Sequence, residues 1–217
     1  MSHPDSFIDE VTEEVRRDKL FAFFRKYGWI PLLVVILIVG GAAWREYTKA
    51  QNAAAAQAFG DAVQSALSQN DPVARSQALQ ALHAEGNRAA ILDFLTAGAA
   101  VEAGDTKTAT SALDAVAADA SLPQSYRDLA ALKRVVVAGD TMAADARTAA
   151  LKPLAEAGRP YRPLAMEQLA LIAVEAGDKT GAITQFKAIL QEPGVTPGLR
   201  RRATAMIVAL GGDPAAN

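Results

Sequence analysis

The chain has 217 residues, 51% of them apolar and only 6% aromatic, with a formal net charge of −2. This near-neutral balance excludes the strong basic field of a nucleic-acid binder. The absence of cysteine excludes disulfides, thiolate metal sites and cysteine nucleophiles. Ala, Leu, Gln, Glu and Arg outweigh β-branched clusters and hairpin turn pairs, so the composition predicts an all-α fold.

Residues 6–26 read as one amphipathic helix. Ser6 stands at a capping place, and Ile8, Val11 and Val15 share a face beside Asp9, Glu10, Glu13 and Glu14. Such a segment either docks on a cytoplasmic partner or is a solvated lead-in. The second reading is favoured, because charge on these faces usually serves solvation. His3 is isolated near the terminus and is assigned no role.

From Tyr27 to Trp44 the chain carries no charge. Eighteen helical residues rise about 27 Å, close to the thickness of a hydrocarbon core. Phe21, Phe23, Phe24, Tyr27 and Trp29 stand at one rim, and Trp44 and Tyr47 at the other, as headgroup belts do. Pro31 falls in the first turn, where its missing N–H costs little. Arg16, Arg17, Lys19, Arg25 and Lys26 precede the run, whereas only Arg45 and Lys49 follow it closely, which predicts a cytoplasmic N-terminus. A cleaved signal peptide is the alternative, with Gly41 and Ala43 as small residues near a cleavage site. It fits less well, because the stretch before the apolar core is long and acidic. The expected organisation is thus a cytoplasmic segment 1–26, a transmembrane helix 27–44, a domain outside the cytoplasm over 45–212, and a short tail 213–217.

Beyond the span, breakers and caps predict helices over 29–69 (with a possible break near Gly60), 72–84, 88–103, 106–118, 123–138, 141–157, 161–176, 179–191 and 197–210. Ala103-Gly104-Asp105 recurs as Ala138-Gly139-Asp140 and Ala176-Gly177-Asp178, with a weaker copy at Gly211-Gly212-Asp213. Periods in the middle thirties mean paired-helix repeats. Each glycine is expected to end one helix in the left-handed conformation, and each Asp to cap the next. Ala97, Ala170 and Ala205 before the glycines, and Ala109, Ala144 and Ala182 after them, are expected to let paired helices approach closely. Leu132 takes the small residue's place in the second copy and should separate that pair or shift its register. Phe186 is expected to fill the gap between pairs, and Lys187 to be exposed. Residues 45–87 are expected to supply an earlier, more divergent pair.

This spacing resembles the tetratricopeptide repeat, although the early large aromatics of that repeat are missing, with Ala100, Val135 and Ala173 at one such place. The whole layout, with Arg25-Lys26-Tyr27-Gly28, the span ending in Gly40-Gly41, then Trp44-Arg45, Tyr47 and Ala-rich repeats, resembles the YfgM-like ancillary subunits of the bacterial Sec translocon. That resemblance implies a single-pass inner-membrane protein with a periplasmic repeat domain. It implies as partners the SecYEG channel, periplasmic chaperones and newly translocated chains. An interaction scaffold for another envelope complex, such as cell-wall or division machinery, is the second reading, since a fold does not fix a function.

In tetratricopeptide arrays the first helix of each pair lines a concave surface. Counting back from the turn glycines nominates Phe94 and Val101, then Tyr126, Leu129, Lys133 and Val136, then Leu164, Glu167, Leu171 and Val174 as lining residues. A groove so lined suits extended, apolar, sequence-diverse segments. The competing reading makes them core, or places them under the last helix. No catalytic, cofactor or metal constellation is expected. His83 reads as a solvated or packed histidine. Arg200-Arg201-Arg202 offers a basic run to acidic lipid or an acidic partner, but near a helix start such a run is more often solvated or paired with neighbouring acids.

Overall fold

The computed structural model describes residue 21 and residues 25–215, so most of the amphipathic stretch expected over 6–26, with His3, Phe23 and Phe24, lies outside the described residues. Nine α-helices occur among the described residues. The chain divides into two compact units, residues 1–61 and 62–217.

The first unit is dominated by α1, Trp29–Leu67, a helix of 39 residues whose end enters the second unit. Gly60 does not break it. Nothing approaches within 4 Å of where its Cβ would stand, and one glycine costs only about 1 kcal/mol in an Ala-rich helix. Every residue from Trp29 to Tyr47 is exposed, and Leu32, Ile36, Leu37, Ile38 and Val39 are each more than 60% so. A helix dissolved in water does not present an uninterrupted apolar cylinder of this kind. The aromatic rims interact locally: Lys26 Nζ lies 5.5 Å from the Tyr27 ring centroid, and the Trp44 and Tyr47 rings are 6.4 Å apart.

The second unit is a succession of short helices: α2 (Pro72–Gln80), α3 (Asn87–Glu102), α4 (Thr106–Ala118), α5 (Gln124–Ala138), α6 (Ala144–Leu151), α7 (Arg162–Glu175), α8 (Lys179–Gln191) and α9 (Pro197–Ala209). Each packs on its sequence neighbours from α2 to α9, and α5 also touches α3 and α7, as in a quasi-one-dimensional repeat array. Helix α2 is shorter than the expected 72–84, and its N-terminus is fixed by Asp71, which accepts the Ala74 N–H at 2.9 Å.

Two of the turns follow the residue pattern. Gly104 and Gly177 have φ of +74° and +77°. The Gly104 N–H donates to Val101 O at 3.0 Å and the Asp105 N–H to Ala100 O at 2.8 Å, while Gly177 and Asp178 repeat the pattern onto Val174 and Ala173. These paired bonds satisfy the last carbonyls of α3 and α7. Asp105 and Asp178 then accept the N–H groups of Thr108 and Gly181, starting α4 and α8.

The other two turns correct the expected register. In the last copy the left-handed glycine is Gly211 (φ +85°), with Gly212 supplying the next N–H to Ile207 O. The helix therefore ends one residue earlier than the Gly212 alignment implies. Ala205 is exposed; seven before Gly211 stands the half-buried Thr204, and the buried small residue is Ala203, one place further back. In the second copy Gly139 adopts φ +52°, ψ −132°, and a 3-10 turn over Gly139–Thr141 follows, so Asp140 caps nothing and α6 starts only at Ala144. The helix expected over 141–157 is thus α6 plus a second 3-10 turn, Lys152–Ala155, entered at Pro153, which cannot continue an α-helical ladder.

That three-residue insertion explains a second correction. Helix α4 buries Ala109, Leu113 and Val116, and α8 buries Ala182, Phe186 and Ile189 with the same spacing. The corresponding buried set after Gly139 is Arg147, Leu151 and Leu154. Ala144 is exposed, and an arginine occupies the place of the close-contact alanine. Phe186 is fully buried among Ala170, Ala203 and Ile207, and Leu132 is buried beside Val135 and Leu154. Lys187, expected to be exposed, is half-buried.

Candidate interaction surface

Helices α3, α5 and α7 carry the nominated stripe, because residues spaced 3, 4 and 7 apart share one helix face. Val101 and Val136 are about half exposed, Leu164 is 37% exposed and Lys133 is open to solvent. Phe94, Tyr126 and Leu129 are half-buried, and the Phe94 and Tyr126 rings meet edge-on, 6.4 Å apart at 75°, which ties α3 to α5. Leu171 and Val174 are half-buried against the cluster that holds Leu199, Ala203 and Ile207 of α9. Glu167 is only 7% exposed, and both its oxygens accept from Arg202, at 2.7 and 2.8 Å. The stripe is thus open at Val101, Val136 and Leu164, whereas Phe94 and Tyr126 pack against the core between α3 and α5, and Glu167, Leu171 and Val174 are covered by the cluster that includes the final helix.

Ile91 and Val208 were missed in the sequence. Val208 stands three residues before Gly211, as Val101, Val136 and Val174 stand three before Gly104, Gly139 and Gly177. Taking Gly211 as the turn glycine would have found it. Three of these four valines are about half exposed, so one repeat place carries an apolar side chain toward solvent on α3, α5 and α9.

Arginine–carboxylate pairs hold successive helices in register. Arg75 of α2 pairs with Glu102 at the end of α3, and Arg147 of α6 pairs with Glu175 at the end of α7. Arg162 closes the last pair onto Glu192 with two bonds of 2.9 Å. Hydrogen bonding from Arg147 and Arg162 holds Glu175 and Glu192 below the usual carboxylate range.

The sides of α3 and α7 away from the stripe floor two cavities, each flanked by a helix before and a helix after. Over α7 the floor is apolar, with Met166, Leu169 and Ile172, and the cavity measures ~470 Å³. On α5 the equivalent of Met166 is Asp128, which is buried, accepts from Gln124 at 2.7 Å and lies 3.3 Å from the Arg159 guanidinium; the cavity beside α5 is lined instead by Arg134, Ala138 and Met142. Over α3 a ~340 Å³ cavity is lined by Asp93, Thr96, Gln80 and Ser111 with Leu82 and Ala112. Burial raises the Asp93 carboxyl above its ordinary value. Among the described residues there is no group of three or more His, Cys, Asp or Glu placed to hold a metal ion.

A family profile described as a tetratricopeptide repeat-like domain matches residues 22–196. No curated protein and no solved structure matches the chain.

Proposed function

The chain belongs to the tetratricopeptide repeat-like domain family, and from that membership we propose that it is a membrane-anchored scaffold acting outside the cytoplasm. The repeat unit is a protein-interaction domain. In this reading residues 27–44 of the long apolar helix cross the bilayer, with Arg25 and Lys26 held on the cytoplasmic side and the repeats on the other. The observation that carries it is the recurrent exposed valine at one repeat place, with Ile91 and Leu164 extending the apolar surface on α3 and α7. A partner that packs on side chains repeated every helix pair is an extended polypeptide rather than a small ligand.

The partner of the first reading is the Sec translocon with its emerging chains and chaperones. It rests on the similarity of Arg25-Lys26-Tyr27-Gly28, Gly40-Gly41, Trp44-Arg45 and Tyr47 to the YfgM-like subunits. Site-specific photo-crosslinking in intact cells tests it. Probes stand at Val136 and Leu164, with a control at the exposed Thr184 of α8. Adducts to translocon subunits or newly exported chains, confined to the first two sites, support the reading. Adducts to cell-wall or division proteins transfer it to the second envelope complex. No adducts from a correctly inserted protein would refute the stripe as an interaction surface.

A further inference from the structure

We propose that the groove over α3 is a second recognition site, which takes a cationic side chain, arginine or lysine, from a partner polypeptide. It lies away from the apolar stripe: Thr96 is about 200° around α3 from Phe94, at 100° per residue.

The internal repeats supply the comparison. Asp93 and Asp128 both stand eleven residues before their turn glycines, Gly104 and Gly139. Asp128 is buried, and its carboxylate faces the Arg159 guanidinium delivered by the segment after α6. A buried carboxylate needs such a partner, because desolvation penalises its charged form. Asp93 holds the same place, half-buried rather than buried, and has no hydrogen bond or ion pair among the described residues. No lysine, arginine or histidine lines its cavity. The chain therefore fills one of two equivalent carboxylate sites with its own arginine and leaves the other without a cation.

Thr96 points the same way independently. The places equivalent to it, eight before each turn glycine, are Ala131, Leu169 and Ala203, all apolar. Thr96 is 5% exposed, lines the cavity and makes no hydrogen bond with any described residue. Its hydroxyl is not among the buried unpaired atoms and so opens onto the cavity, where a ligand can reach it. Gln80 donates its amide N–H to Ser76 and keeps its carbonyl oxygen, so the cavity offers acceptors from Asp93, Thr96, Gln80 and Ser111. A guanidinium or ammonium, with only donors to give, matches that set. The apolar Leu82 and Ala112 suit the methylene stem that carries it.

The test uses the full-length protein in detergent micelles, titrated with N-acetyl-arginine methylamide, its lysine analogue and the uncharged citrulline analogue. Nuclear magnetic resonance follows the Thr96 and Ser111 amides. Saturable shifts with the two cations, at least about tenfold weaker with citrulline and in Asp93→Asn, are the expected result. Thr96→Val, which keeps the shape and removes the hydroxyl, should weaken binding while leaving the helical spectrum intact. Equal response to citrulline, or no saturable shift, would overturn the site. A photo-crosslinker at the exposed Ala115, on the groove wall, separates the sources of the cation in cells. Polypeptide adducts that vanish in Asp93→Asn support a partner chain. Binding of the arginine analogue without Asp93-dependent adducts overturns the partner chain in favour of a free small cation. These outcomes are independent of the stripe, whose probes sit on α5 and α7.

Discussion

Phe186→Ala tests whether the last helix pair is a packed terminus of the array. Phe186 is fully buried and touches the small residues Ala170 and Ala203 with Ile207. Truncation returns on the order of 150 Å² of apolar burial, which at ~25 cal/mol per Å² is about 4 kcal/mol. Partial collapse around the cavity sets the expected loss at ~3–5 kcal/mol. Because repeats contact mainly their neighbours, the loss should be local to α7, α8 and α9. Hydrogen exchange of the full-length protein in detergent, read helix by helix, is the assay, with urea melts alongside. Amides of α8 and α9 should lose protection, and those of α3 and α4 should keep it. Leu164→Ala, on the exposed stripe, is the control and should cost well under about 1 kcal/mol. A Phe186→Ala loss under about 1 kcal/mol, or equal loss in α3 and α8, would refute the packing argument.

Four further outcomes follow from particular residues. Gly104→Ala and Gly177→Ala force a side chain into φ near +75°, and each should lower stability by ~1 kcal/mol, whereas Gly60→Ala inside α1 should strengthen helix by a similar amount in circular dichroism. Glu175 and Glu192 have folded values below the ordinary carboxylate, so their pairs contribute fully above about pH 5 and weaken as pH falls through the depressed values. Acid melts of Glu175→Gln and Glu192→Gln should accordingly show a shallower loss of stability below pH 5 than wild type. Asp93 has the opposite sign: its raised folded value makes the charged form unfavourable, so Asp93→Asn should raise the melting temperature slightly at pH 7 and lose that advantage in acid. For topology, the cysteine-free chain allows single-cysteine labelling. In spheroplasts, an impermeant maleimide should reach Ser68→Cys directly and Lys26→Cys only after lysis, and the reverse would invert the proposed orientation.

The apolar run, its aromatic rims and the helix boundaries set by Asp71, Asp105, Asp178, Gly104 and Gly177 are determined by the sequence alone, because each depends on a few adjacent residues and the backbone groups they satisfy. Such local chemistry placed α4 and α8 to the residue, at 106–118 and 179–191. The second copy was decided in three dimensions. Ala-Gly-Asp stands there as in its neighbours, yet Gly139 turns differently, and the buried set slides to Arg147, Leu151 and Leu154. No local rule marks an arginine as the occupant of an alanine's place. Its burial depends on Glu175, 28 residues away. The same holds for the stripe. Helical spacing put Phe94, Val101, Tyr126, Leu129, Val136, Leu164, Leu171 and Val174 on common faces. Only tertiary packing, of Phe94 on Tyr126 and of α9 with Arg202 on Glu167, separates the covered residues from the open Val101, Val136 and Leu164. Periodicity fixes which way a side chain faces within its own helix. What lies opposite that face is set by contacts between helices far apart in the chain, and so it is visible only in the folded structure.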